Sequence, residues 1–327
     1  MNTSVLTTTK SKVPYAVMAV ATVATLSVGI LASTPSHALG GQSQVQAASA
    51  QYQNEIDKRY QSDAVFRQVL GAPIGGIQRD GEVYFQNYQN GRAYYAAGYG
   101  VHEVHGNIYT LFTQLGGHRV TGIPVTDEAA TPDGKGKFNH FNKMANSPEA
   151  VSSIYWTAAT GAHYVQNKIH VKWVATGWEN GPLGYPITDE ATAKDGVSKY
   201  NNFQQGTIYS SAQYGEKYVV GEIYKKWAQY NYDGGFLGKP MSDETKTPDG
   251  KGRFNVFEGG SVYWSPASGA HSIGGKIRDG WAAIGWEVSW LGYPTSDEYN
   301  IPGGKGQDFQ GGYIRWTPQT GVVAYRK

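Results

Sequence analysis

The sequence predicts a mainly β fold with short helices, in which five tandem units of about 54 residues close into a five-unit pseudo-propeller ring. Two landmarks carry that expectation. Leu-Gly-x-Pro stands at Leu70–Pro73, Leu183–Pro186, Leu237–Pro240 and Leu291–Pro294, with a degenerate copy at Thr121–Pro124, so successive prolines lie 51, 62, 54 and 54 residues apart. Upstream of each copy an isoleucine is followed four residues later by an aromatic: Ile56/Tyr60, Ile108/Phe112, Ile169/Trp173, Ile223/Trp227 and Ile277/Trp281. The last isoleucine is followed by 50 residues, enough for a fifth whole unit. A unit of this size cannot bury its apolar face alone and must stack on neighbours. Five similar units without an evident capping unit favour a closed ring over an open solenoid with polar caps.

Residues 1–38 read as a signal peptide. Lys10 and Lys12 precede an uncharged stretch, Val13 to Ala32, and Ser36-His37-Ala38 places small residues where a signal peptidase cuts. Ala48-Ser49-Ala50 is a later alternative. The uncharged stretch is long enough to span a bilayer, but Thr, Ser, Gly and Pro14 dilute it, so retention as an anchor is the lesser reading and no stable span is expected after cleavage. Residues 39–51, low in bulky apolar side chains, read as a flexible leader. The repeat domain then covers 52–327, in units at 52–104, 105–165, 166–219, 220–273 and 274–327.

Each unit is expected to open with a short amphipathic helix, because the i, i+4 pair of isoleucine and aromatic falls on one helix face. A glycine such as Gly177 or Gly285 stops it. Leu-Gly-x-Pro makes a tight exit: glycine reaches backbone angles closed to other residues, proline fixes the turn and leucine plugs the core. Asp-Glu pairs follow at 127–128, 189–190, 243–244 and 297–298, then a glycine-rich turn such as Pro248 to Phe254. Alternation through Gly260 to Trp264, a Pro/Ser/Gly turn and Ala270 to Ile273 mark a hairpin. Ala145 to Ser152 is an insertion in the second unit, and accounts for the long interval.

Composition excludes several classes. The formal net charge is +2, and setting aside the signal segment leaves 26 basic against 26 acidic residues, which argues against nucleic acid or an anionic membrane surface as partner. Cysteine is absent, so no disulfide, thiolate metal site or thiol nucleophile is possible. No Gly-x-Ser-x-Gly elbow occurs, nor a Gly-x-x-x-x-Gly-Lys-Ser/Thr phosphate loop. The Pro-Asp-Gly-Lys-Gly turns lack the alternating acids of a calcium loop. No metal or other cofactor is expected.

Leu183-Gly184-Tyr185-Pro186, Leu291-Gly292-Tyr293-Pro294, the Asp-Glu pairs after them and the Gly-Gly-x-Val-Tyr-Trp hairpin at 259–264 resemble the LGFP repeat of exported actinobacterial proteins. The resemblance covers about Gln51 to Lys327; the second, fourth and fifth units match best, the first and third depart most. It implies a secreted, cell-wall-associated protein of mycolic-acid-bearing bacteria. In that family such arrays accompany a mycolyltransferase or peptidoglycan hydrolase and hold it to wall polysaccharide; neither catalytic domain is read in this chain.

Candidate glycan contacts follow from the residues. With 24 Tyr and 9 Trp, the chain repeats an aromatic pair on each hairpin: Tyr94/Tyr95, Tyr155/Trp156 and Tyr263/Trp264, with Tyr209/Ser210 and Arg315/Trp316 as variants. Aromatic faces stack on the apolar faces of sugar rings. Strand parity places the second member of each pair on the face of Ala93, Ile154, Ile208, Val262 or Ile314, which is the core face, and turns the first towards solvent or the next unit. The candidates are Tyr95, Trp156, Trp264 and Trp316, with His102, His163, His271, Asp127, Asp189, Asp243 and Asp297 as polar partners. The histidines recur at one repeat position, where a ring of three could gather a metal or sugar hydroxyls at an axis, but Lys217 and Val323 fill the other two units, which weighs against a metal. Glycoside hydrolysis needs two carboxylates at a set separation, yet the Asp-Glu pairs recur four times and an active site is normally unique. They are read instead as structural, Asp capping the turn and Glu meeting Lys137, Lys251 or Arg253. The leading expectation is therefore a non-catalytic binder of envelope polysaccharide, arabinogalactan or a related glycan, acting through avidity. The alternatives are a scaffold or accessory subunit for an envelope enzyme and, less favoured, a glycan-processing enzyme centred on the second unit's insertion.

Overall fold

The computed structural model describes residues 55–327. The signal segment, its cleavage site, the whole leader and residues 52–54 of the first unit lie outside the described residues. Five antiparallel sheets follow one another along the chain. The first is a meander of Pro73–Asp80, Val83–Tyr88, Gly91–Ala96 and Gly100–His105. The third, fourth and fifth repeat the pattern, the fourth as Thr245–Lys246, Arg253–Phe257, Gly260–Ser265 and Gly269–Gly274. The second sheet gains a fifth strand because Ile123–Pro124 and Ala129–Ala130 both pair with Gly136–Asn142.

Helices separate the sheets. Gly106–Gln114, Asn167–Ala175, Gly221–Gln229 and Gly275–Ile284 each pack on the sheet before and the sheet after. The two landmarks of the sequence meet at this point. Trp227 Nε1 donates to the Gly238 carbonyl (3.0 Å), Trp281 Nε1 to that of Gly292 (3.2 Å), and Tyr60 Oη to that of Gly71 (3.0 Å). The helix aromatic thus holds the Leu-Gly turn, whose leucine is fully buried and whose proline bridges to a strand phenylalanine, Pro294 to Phe309 for example. Gly292 is required twice over: its φ is +67°, and a Cβ there would meet Gln310 Oε1 at 2.5 Å. Gly285 caps its helix in the left-handed region as expected, and a 3-10 turn that the sequence reading did not foresee, Trp286–Val288, follows.

Every seam between units is an aromatic joint. The first member of each hairpin pair points into the next unit and meets its helix aromatic edge to face: Tyr94–Phe112, Tyr155–Trp173, Tyr209–Trp227 and Tyr263–Trp281, with centroids 5.7, 4.8, 5.9 and 4.6 Å apart. These four tyrosines are all buried. In the fifth sheet the same position is Arg315, which is exposed beside the stacked pair Tyr313 and Tyr325. A closed ring would lay the first unit's helix on this face. The helices pack between consecutive units, and no closed barrel or propeller ring is identified among the described residues. The position that is an apolar joint in the other four sheets carries the solvated charge of Arg315 in the fifth.

The insertion of the second unit forms a longer hairpin loop, with Ser147 capping the 3-10 turn Pro148–Ala150. Its one carboxylate, Glu149, is exposed.

Candidate functional site

The aspartates of the Asp-Glu pairs latch one unit to the one before. Asp127, Asp189, Asp243 and Asp297 accept from the backbone N–H of Glu103, Tyr164, Tyr218 and Ser272, at 3.2, 2.8, 3.0 and 2.8 Å. The carbonyls of those same residues accept from Asn139, Asn201, Asn255 and Gln307. One edge residue of each preceding sheet is thereby held by both its backbone groups. Asp therefore caps the neighbouring unit's strand, and not its own turn as the sequence suggested. The hydroxyl beside it fixes its own strand, Ser242 Oγ accepting from Val256 N–H and Ser296 Oγ from Asp308 N–H.

The histidines belong to the same latch. His102, His163 and His271 lie 3.3, 3.5 and 3.6 Å from Asp127, Asp189 and Asp297, each at a different seam. Among the described residues no group of three or more metal-ligating side chains occurs. Arg59 and Lys226 complete the first and fourth latches, and Lys172 serves Asp243 where Lys217 replaces the histidine. Burial alone would raise Asp127, but His102 and Arg59 outweigh it and hold the carboxyl at about 2. Asp297 lies further below the usual range, burial again being outweighed, here by His271 and Lys226. The glutamates pair partly as expected, Glu128 with Lys137 (2.6 Å) and Glu244 with Arg253 (3.4 Å).

Tyr95, Trp156, Trp264 and Trp316 are half-buried against the cores of their own units. Of these, Trp264 lines a cavity of about 240 Å³ with Glu222, Glu244 and Arg253. There burial, partly offset by Arg253, pushes Glu244 up to about 7. Histidines, aspartates and aromatics are thus brought together unit by unit as joints, not as one shared site.

A larger opening than the Trp264 cavity lies between the fourth and fifth units. It is a cleft of about 1040 Å³ whose lining includes Asp249, Ser265, Glu287, Trp290, Tyr293 and Gln310. Tyr293 Oη donates to Asp249 Oδ1 (2.6 Å) and lies 2.8 Å from Thr247 Oγ1, which ties the fifth unit's exit turn to the fourth unit's glycine-rich turn. Trp290 is 36% exposed, with the Arg326 guanidinium 4.5 Å from its ring centroid. Sequence reasoning missed this set because it followed the hairpin aromatics. The available signal was tyrosine in the third place of Leu-Gly-x-Pro, present only at Tyr185 and Tyr293.

A model of the LGFP repeat matches residues 70–119, 122–181, 183–235, 237–289 and 291–327. The chain belongs to the LGFP-repeat family. This repeat is associated with cell-surface proteins. No curated protein matches the chain. Among solved structures, the extracellular domain of a one-component system from B. thetaiotaomicron is 9% identical, covering 77% of this chain and 36% of that one, with a TM-score of 0.14. The TCP10 domain of Danio rerio CPAP, as an E1021V mutant, is 13% identical over 61% of this LGFP chain and 94% of its own, also at 0.14. The tricorn protease is 9% identical at 0.13, with 78% and 26% covered. Likenesses this low carry no argument, and this chain spans about a third of the first of these proteins. No helix among the described residues is long and apolar enough to cross a membrane.

Proposed function

We propose that this LGFP-repeat chain is a secreted, non-catalytic binder of envelope polysaccharide, arabinogalactan or a related glycan, which helps to anchor or organise the cell wall. The observation that supports it best is the open cleft between the fourth and fifth units, where an exposed indole stands beside buried polar groups, the combination that takes a sugar ring and its hydroxyls. The repeated carboxylates are engaged in latches between units, which supports binding over hydrolysis. The test is a pull-down of the purified chain on insoluble cell-wall core, with Trp290→Ala as the variant and its fold checked by circular dichroism. Saturable retention, competed by soluble arabinogalactan and weakened in the folded variant, is expected. No retention of the wild type overturns the reading.

One observation favours a second reading, a scaffold docking on an envelope enzyme such as a mycolyltransferase or peptidoglycan hydrolase. The fifth sheet presents Tyr313, Arg315 and Tyr325, the last 41% exposed, where every earlier sheet is covered by a helix. Binding to such an enzyme that is lost in Tyr325→Asp, with no retention on wall core, supports it.

A further inference from the structure

The cleft between the fourth and fifth units holds a buried carboxylate that lacks the neighbouring side-chain donor present at other seams. Glu287 is 6% exposed, lines the cleft, and its Oε1 is buried without a hydrogen-bond partner. A buried carboxylate oxygen left unpaired costs free energy that an arriving donor recovers. At the seam between the second and third units the matching residue is Glu179, whose Oε1 accepts from Asn180 Nδ2 at 2.8 Å. Val288 stands in the place of Asn180 and has no donor to offer. At the seam between the third and fourth units the position is Asp233, whose Oδ2 accepts from Lys194 N–H and Tyr209 Oη. The indole is also particular to this cleft, since Pro182 and Phe236 occupy the place of Trp290.

We propose that this cleft is a site for a neutral sugar ring, which lays its apolar face on Trp290 and donates adjacent hydroxyls to Glu287. The inference rests on the polysaccharide-binding reading above and specifies its ligand chemistry. A modest turn of the terminal carboxylate torsion, which is soft, presents Oε1 to the cleft. Two vicinal hydroxyls match the two oxygens of a carboxylate, and a bond to a charged acceptor is stronger than one between neutral groups. The charged residues lining the cleft are Asp249, Glu287 and Lys251, two acids against one base. Asp249 is held ionised: burial opposes this, but Tyr293 and the Lys251 N–H outweigh it. Burial and the nearby Asp249 raise Glu287, so a further anion would be repelled. Asp249 and Glu287 therefore disfavour a uronate or phosphate group at the Glu287 end of the cleft and admit a neutral, hydroxyl-rich ring, while a further cation, Arg326, stands 4.5 Å from the Trp290 centroid.

The experiment is a titration of the full chain, followed by tryptophan fluorescence and calorimetry, with soluble arabinogalactan as the neutral probe and polygalacturonate as the anionic one. Two variants test the acceptor. Glu287→Gln removes the charge at constant shape, and Val288→Asn supplies the internal donor found in the other seam while leaving Glu287 in place. Binding of the neutral probe, weakened about tenfold or more in both variants, with no binding of polygalacturonate, is expected. If the wild type binds arabinogalactan and both folded variants bind it equally well, this inference fails while the polysaccharide reading stands. If the wild type binds neither probe, the polysaccharide reading itself fails.

Discussion

Acid should loosen one seam of the array before the others. Between the second and third units, Ser153 Oγ lies 2.6 Å from His140 Nδ1 and 2.8 Å from His170 Nε2, and His170 Nδ1 has no partner. One hydroxyl can donate to one ring and accept from the other only while the accepting ring is neutral, and burial opposes charging either one. Burial holds His140 down to about 4 and His170, with His140 beside it, to about 3, against an ordinary value of 6.5. The unfolded chain therefore binds more protons below pH 6.5 than the folded one. Stability from this pair is fully present above pH 6.5 and is lost as pH falls towards 4 and 3. At pH 5, 1.5 units below the unfolded value, each histidine costs about 2 kcal/mol, so the pair costs about 4. The array supplies its own control. At the next seam the same two positions are Asn202 and Tyr224, with Tyr224 Oη donating to Asn202 (3.4 Å). The double variant His140→Asn/His170→Tyr should flatten the pH dependence. The assay is peptide-resolved hydrogen exchange across 151–175 at pH 7 and pH 5, corrected for intrinsic rates and compared with the variant. Local opening in the wild type should become easier by about 4 kcal/mol over that interval, and in the variant by much less. An equal response in the two proteins refutes the assignment.

Three other perturbations bear on the joints. Trp281→Ala empties the seam between the fourth and fifth units, where the indole is fully buried against Tyr263, and should cost about 3–5 kcal/mol in denaturant unfolding; Trp281→Phe, losing chiefly the N–H bond to Gly292, should cost about 1 kcal/mol more than a neutral swap. Gly292→Ala combines a positive φ with a Cβ 2.5 Å from Gln310 Oε1, whereas Gly75→Ala has a similar φ and open space; both should lose about 1–2 kcal/mol to the backbone, and Gly292→Ala more on top, as measured by thermal unfolding. His105 lies 2.7 Å from Glu103 and 3.3 Å from Glu128; burial would lower it, but these carboxylates outweigh burial and raise it. Its contribution is full below pH 6.5 and is lost as pH rises through the raised value, so NMR titration should find a His105 midpoint above 6.5, and a midpoint below it would remove this support for the first seam.

The periodic part of the fold was legible because each repeated residue has one repeated task. Leu291, Gly292 and Trp281 recur since any unit needs a plug, a turn and a partner for that turn. Strand parity also sorted the hairpin pairs, but it could not tell that the outward Tyr263 would be the more buried of its pair. A strand face is polar or apolar only by virtue of what covers it, and the cover comes from a helix in the following unit. The same limit hid the end of the series: Arg315 reads as a variant of the tyrosine until no helix is found above it. The candidate site was hidden for a related reason. Repetition marks what every unit shares, and the shared histidines and aspartates proved to be latches. The pattern breaks at the last seam, where Val288 replaces Asn180 and Glu287 lacks the donor that Glu179 Oε1 has. In an array of joints, departures from the consensus are therefore a place to look for ligands, because the consensus histidines and aspartates are engaged between units.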